Sequence, residues 1–108
     1  MNLDDLNLAV IAFASHHENP THVSMHHFLL FLYVARFGGR CTYRQLEDGL
    51  SLENSSVSRT VNALGAEHRN GKPGVGLLTT YNDPDEGRRF IVTYTPRGAA
   101  LLRHLQAI

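Results

Sequence analysis

A single cysteine, Cys41, leaves the 108-residue chain without an internal disulfide and points to a reducing compartment. The longest apolar run, Phe28 to Ala35, is too short to span a bilayer. The N-terminus carries Asp4 and Asp5 ahead of its apolar residues, the wrong charge for a secretory signal. An intracellular, cytoplasmic protein with no membrane partner is therefore expected. There is no internal repeat, no low-complexity tract and no linker, so residues 1–108 read as a single domain. A catalytic reading finds no support either. No nucleophile–base–acid arrangement and no complete metal motif is present, and "GKPGVG" lacks the Lys-Ser/Thr ending of a phosphate loop. The expectation is a protein that is not an enzyme and needs no cofactor.

Lys and Arg are missing from the first 35 residues, which carry a net charge of −3 against +3 on the remainder. A neutral total argues against indiscriminate polyanion binding. The basic second part leaves room for one localised nucleic-acid surface.

Hydrophobic spacing and capping signals give the order of elements. Leu3, Leu6, Val10 and Phe13 recur at helical steps, predicting an amphipathic helix over residues 3–15 with Asn2 as its cap. Ser24 opens a second helix, "MHHFLLFLYVARF", stopped by Gly38-Gly39. It is apolar nearly all round, which implies burial on most sides and hence a partner subunit. Thr42 with Gln45 is a capping-box start, Leu46 faces inward, and Gly49 is expected to end that short helix. "LLTTYN" and "RRFIVTY", joined by "DPDEG", predict a hairpin. Thr95-Pro96 caps a last helix with Leu101, Leu102, Leu105 and Ile108 available for one face. The expected fold class is α+β, mainly α. It has N-terminal helices in 1–39 for dimerisation, a helix-turn-helix and wing in 40–95, and a C-terminal helix in 96–108.

The stretch "SLENSSVSRTVNAL" holds four serines, more than capping needs. With residues 54–66 on a helix, Val57, Val61 and Leu64 form a buried stripe, and Ser55, Ser58, Arg59, Asn62 and Ala66 fall opposite. That outer face carries short hydrogen-bonding groups and one guanidinium, with Glu53 and Glu67 kept to its ends. Such a helix enters a major groove closely, where Ser, Asn and Arg reach base edges or phosphates. Asn54, Ser55 and Ser56 at its start favour phosphate.

This order, with "SSVSRTVNAL" followed by "DPDEGRRFIVTYTPRG", resembles the winged helix-turn-helix of the MarR-type transcriptional regulators. Ser56-Val57-Ser58-Arg59 matches that family's "TVSR"-like core, and Asp85 to Arg89 its acidic-then-arginine wing turn. Tyr94-Thr95-Pro96-Arg97-Gly98 matches its "LT..G", with Tyr94 in place of the leucine. The resemblance covers residues 40–100 by motif and 1–37 by helix order alone. It implies a homodimer on double-stranded DNA, each wing arginine entering a minor groove. Alternating as strand residues, one of Arg88 and Arg89 points toward DNA, and the structural alternative is an ion pair to Asp83 or Asp85. Thr42, Tyr43 and Arg44 are expected phosphate contacts, and Lys72 a further one. Chains of that family run longer, so a compact regulator of the phage- or plasmid-encoded kind is expected, with no effector assigned.

Two alternatives use other residues or partners. One is a winged-helix module whose same surface binds protein. The other is a metal-responsive variant using the cluster His16, His17, His22, His26 and His27, since neutral imidazoles bind zinc, nickel or copper. Against it, adjacent helical histidines point about 100° apart. Cys41 is expected to be a small buried residue.

Overall fold

A computed structural model describes residues 2–65 and 74–108 of the chain. Ala66, Glu67, Lys72 and most of the "HRNGKPGVG" loop lie outside the described residues. The first helix, α1 (Leu3–Ala14), starts in a complete capping box. Asn2 accepts from the Asp5 amide at 2.8 Å, and the Asp5 carboxylate accepts from the Asn2 amide. The expected stripe is corrected here. Of Leu3, Leu6, Val10 and Phe13 only Phe13 is buried, and Ala9 accompanies it. Helix α1 therefore touches the rest of the chain along one narrow edge.

Helix α2 (Met25–Val34) begins at Ser24, whose hydroxyl accepts from the His26 amide, and runs into a 3-10 turn (Ala35–Phe37). Gly38 stops it in the left-handed region at φ 73°, where a side chain is disfavoured. Leu30, Phe31 and Val34 are wholly buried, whereas Met25, Leu29 and Leu32 remain exposed. Strand β1 (Arg40–Thr42) leads into α3 (Tyr43–Leu50), whose capping box pairs Thr42 with Gln45 as expected. Gly49 does not end this helix. Leu50 does, with Ser51 beyond it in the left-handed conformation at φ 54°. Gly49 serves a close approach instead, since a Cβ there would fall 2.0 Å from the Tyr33 hydroxyl.

Helix α4 (Asn54–Leu64) follows, then the hairpin β2 (Leu78–Asn82) and β3 (Phe90–Tyr94), then α5 (Pro96–Gln106). The antiparallel sheet has the order β1-β3-β2, with Cys41 opposite Val92 and Leu78 opposite Tyr94. Thr95 caps α5 from the Gly98 amide, with Pro96 at the first turn. The core lies where the faces meet. Phe13, Phe31, Leu46, Val57, Leu64, Leu77, Val92 and Leu101 form one cluster linking all five helices and the sheet. Burying each such side chain contributes roughly 1.5–3 kcal/mol. Gly98 sits against the Leu77 backbone, and a Cβ there would come within 1.9 Å of the Leu77 carbonyl oxygen.

Candidate nucleic-acid interface

The turn between α3 and α4 fixes how α4 is presented. Ser51 closes α3, and its amide donates to the Glu47 carbonyl oxygen. Asn54 at the start of α4 donates from its side chain to Glu47 at 3.2 Å, tying the two helices across the turn. Val57, Val61 and Leu64 are buried against the core as the helical phase predicts, and Thr60 joins them. Ser55 and Arg59 are exposed, and Ser56, Ser58 and Asn62 are half-buried. None of the α4 serines caps the helix, because the N-cap position is Glu53 and makes no side-chain cap bond. Among the described residues, Ser55, Ser56, Ser58, Arg59 and Asn62 make no side-chain hydrogen bond or ion pair. The outer face of α4 is thus a strip of uncommitted donors and acceptors, free of carboxylates along its length.

The N-terminal residues of α3 divide. Thr42 spends its hydroxyl on the Gln45 amide at 3.1 Å. Tyr43 is half-buried beside Phe90, ring centroids 6.2 Å apart, and burial pushes its phenol pKa up. Arg44 is exposed and reaches only the equally exposed Asp48, at 3.6 Å. Such an exposed pair contributes little and leaves the guanidinium available.

The wing differs from expectation. Arg88 and Arg89 lie in the turn, not on the strand, so they do not alternate as strand residues. The seven residues between the strands fold back on themselves. The Asp83 amide donates to the Arg89 carbonyl oxygen at 2.8 Å, and the Arg89 amide to that of Glu86 at 2.9 Å. Arg89 also donates from Nε to the Asp83 carboxylate at 2.9 Å and lies 3.5 Å from Glu86. This is the ion pair named as the structural alternative for the pair of arginines. Its guanidinium holds the Asp83 carboxyl below the usual carboxylate range. Arg88 is exposed and, among the described residues, has no ion-pair partner.

Three of the five clustered histidines have different hydrogen-bond partners. His17 donates from Nδ1 to the Phe13 carbonyl oxygen at 3.1 Å and stacks on His27, ring centroids 5.9 Å apart. His16 accepts from Arg97 Nε at 3.1 Å, and His22 meets the Thr21 hydroxyl. Among the described residues, no three His, Cys, Asp or Glu side chains converge to hold a metal ion. Cys41 is buried, which pushes its thiol up to about 11.

Sequence reasoning missed Tyr94. Its hydroxyl donates to the Phe31 carbonyl oxygen and its ring meets Phe31 edge-on, fastening the root of the wing to α2. A tyrosine where leucine is usual was the only signal, and it gave no partner.

No protein-family model matches the chain, and no curated protein sequence matches it. Solved structures do. A MarR mutant from E. coli complexed with operator DNA superposes with a TM-score of 0.65 at 17% identity, over 96% of this chain and 65% of that one. The PcaV transcriptional regulator of Streptomyces coelicolor, in complex with its natural ligand, gives 0.59 at 22% identity over 96% and 67%. BpsR of Bordetella bronchiseptica, whose DNA binding is regulated by 6-hydroxynicotinic acid, gives 0.59 at 21% identity over 96% and 71%. The fold is a winged helix with two helices before the motif and one after the wing. It is the fold of the MarR-type regulators, of which this chain spans 65% of the E. coli MarR length.

Proposed function

We propose that the chain is a sequence-specific regulator that binds double-stranded DNA as a homodimer. Helix α4 enters the major groove with Ser55, Ser58, Arg59 and Asn62, and the wing reaches the neighbouring minor groove. The observation that carries this reading is the outer face of α4: uncommitted polar side chains, no carboxylate between its ends, on a winged helix. In the wing the exposed Arg88 is the groove ligand, because Arg89 is engaged with Asp83. Asn54, Ser56, Thr42, Tyr43 and Arg44 border the phosphates on either side of the groove, and Arg44 supplies the charge among them.

Dimerisation has its own support. Leu3, Leu6, Leu8, Val10 and Ile11 of α1 are all exposed, Leu3 to 82%. A helix this apolar on its outer side is covered in a stable protein. Two-fold symmetry then places half-sites about one helical turn apart, near 10 bp.

Selection from a random duplex pool tests both parts. The reading expects enrichment of a pseudo-palindrome at that spacing. Recovery of sequences indistinguishable from the starting pool contradicts it.

A further inference from the structure

The start of α2 and the near edge of α4 enclose an open crevice of about 320 Å³, lined by Ser24, His26 and His27 from α2 and by Ser56, Arg59, Thr60 and Ala63 from α4. At about 100° per residue, Arg59 sits on the border between two strips of α4. On one side lie Ser55, Ser58 and Asn62, the strip turned outward. On the other lie Ser56, Thr60 and Ala63, the strip turned to α2. Arg59 is thus off-centre on the face proposed to read bases, and its side chain contributes to the crevice wall.

We propose that this crevice is a phosphate-binding notch. Arg59 is its principal ligand, His26 and Ser56 complete it, and a backbone phosphate of duplex DNA is the occupant. The proposal rests on the DNA-binding reading above and assigns Arg59 to the backbone and not to a base. Several observations support it. No carboxylate lines the crevice among the described residues. The ion pairs among those residues all lie on α3 and the wing, leaving the Arg59 guanidinium without a counter-charge. An arginine fork beside an imidazole and a hydroxyl matches the donor set that phosphate oxygens require. Thr60 and Ala63 present only small side chains to the crevice. The positive end of α2 opens onto the same space and adds to the field. A phosphate held there lies immediately beside the Ser58 and Asn62 strip, which fixes the register of α4 in the groove.

The test compares wild type, Arg59→Ala, His26→Ala and Asn62→Ala by fluorescence anisotropy. Two duplexes are used, one taken from the selected pool and one scrambled, at several salt concentrations. Thermal melts confirm that the exposed Arg59 and His26 are replaced without loss of fold. Arg59→Ala is expected to weaken binding to both duplexes by the same factor, about 10-fold or more. It should also lower the slope of log affinity against log salt by about 1. His26→Ala should give a smaller but equally even loss, and Asn62→Ala should change the ratio between the duplexes. If Arg59→Ala changes that ratio and leaves the salt slope intact, Arg59 reads a base and the notch is overturned while DNA binding stands. Unchanged affinity of Arg59→Ala for both duplexes overturns the notch in the same way. If wild type binds neither duplex at low salt, the DNA reading itself falls and the notch with it, an outcome distinct from the other two.

Discussion

Arg89 is folded back onto Asp83. Its Nε donates to the Asp83 carboxylate at 2.9 Å, while that carboxylate also accepts from the Asp85 amide. The bond organises the wing turn and engages Arg89, while Arg88 has no ion-pair partner among the described residues, which separates two residues that look equivalent as a sequence pair. Arg88→Ala should therefore weaken duplex binding and leave the wing ordered. Arg89→Ala should speed amide exchange across residues 83–89. Equal effects of the two substitutions on DNA binding contradict this division.

Acid should loosen the same turn. With its carboxyl held low by Arg89, Asp83 contributes order that is present above the ordinary carboxylate value of 3.8 and is lost as pH falls through the depressed folded value. Amide exchange at Glu86 and Arg89 should thus stay protected at pH 5 and accelerate only below about pH 4. In Asp83→Asn the acid dependence should vanish; its persistence in that variant contradicts the assignment.

Beyond the end of α1 the sign is opposite in origin and similar in effect. Burial, with Arg97 second, lowers His16, and burial lowers His17 below the ordinary 6.5. The unfolded chain then binds these protons more readily. Stability is full above pH 6.5 and falls as pH drops toward the lowered folded values. The melting temperature should decline between pH 7 and pH 5, and less steeply in a His16→Gln/His17→Gln variant. A melting temperature unchanged over that range contradicts the account.

Three positions test the packing. Gly98→Ala places a methyl 1.9 Å from the Leu77 carbonyl oxygen, so helix α5 must shift, at a cost of about 1–3 kcal/mol or more. Gly87→Ala meets nothing within 4 Å and should be neutral. Val61→Asp buries an unpaired charge where exposure is 2% and should cost roughly 3 kcal/mol or more. Denaturant melts give all three values, and cooperative unfolding of Val61→Asp at the wild-type midpoint contradicts the phase of α4.

Cys41, buried and pushed up to about 11, should resist alkylation at pH 8 in the folded protein and react promptly once unfolded. Rapid modification of the native protein contradicts its placement between β1 and the core.

Local chemistry made much of this structure legible in advance. The caps Asn2, Ser24, Thr42 and Thr95 are short-range signals and all four hold. The stripe Val57, Val61 and Leu64 was readable because one face of α4 is polar throughout. Helix α1 was not legible because it is apolar on several sides, and spacing alone does not say which side packs on the rest of the chain. Gly49 was misread because a glycine near a helix end serves equally as a stop or as a gap for a distant ring, and Tyr33 lies 16 positions earlier in the chain. Whether Arg88 and Arg89 belong to the strand or the turn is not legible, because strand ends are poorly marked in sequence. Only the folded turn reveals that Asp83 takes one of them. The crevice joining α2 to Arg59 depends on how two helices pack, which no local pattern encodes.

In the proposed complex the serine-lined face of α4 meets DNA. The most direct measurement is anisotropy of a labelled mixed-sequence duplex with wild type and with Ser55→Glu/Ser58→Glu, each at two salt concentrations. Wild-type binding should fall steeply with salt and be lost when carboxylates are set on that face, with the variant still folded. Wild type and variant binding alike, or neither binding at low salt, contradicts it.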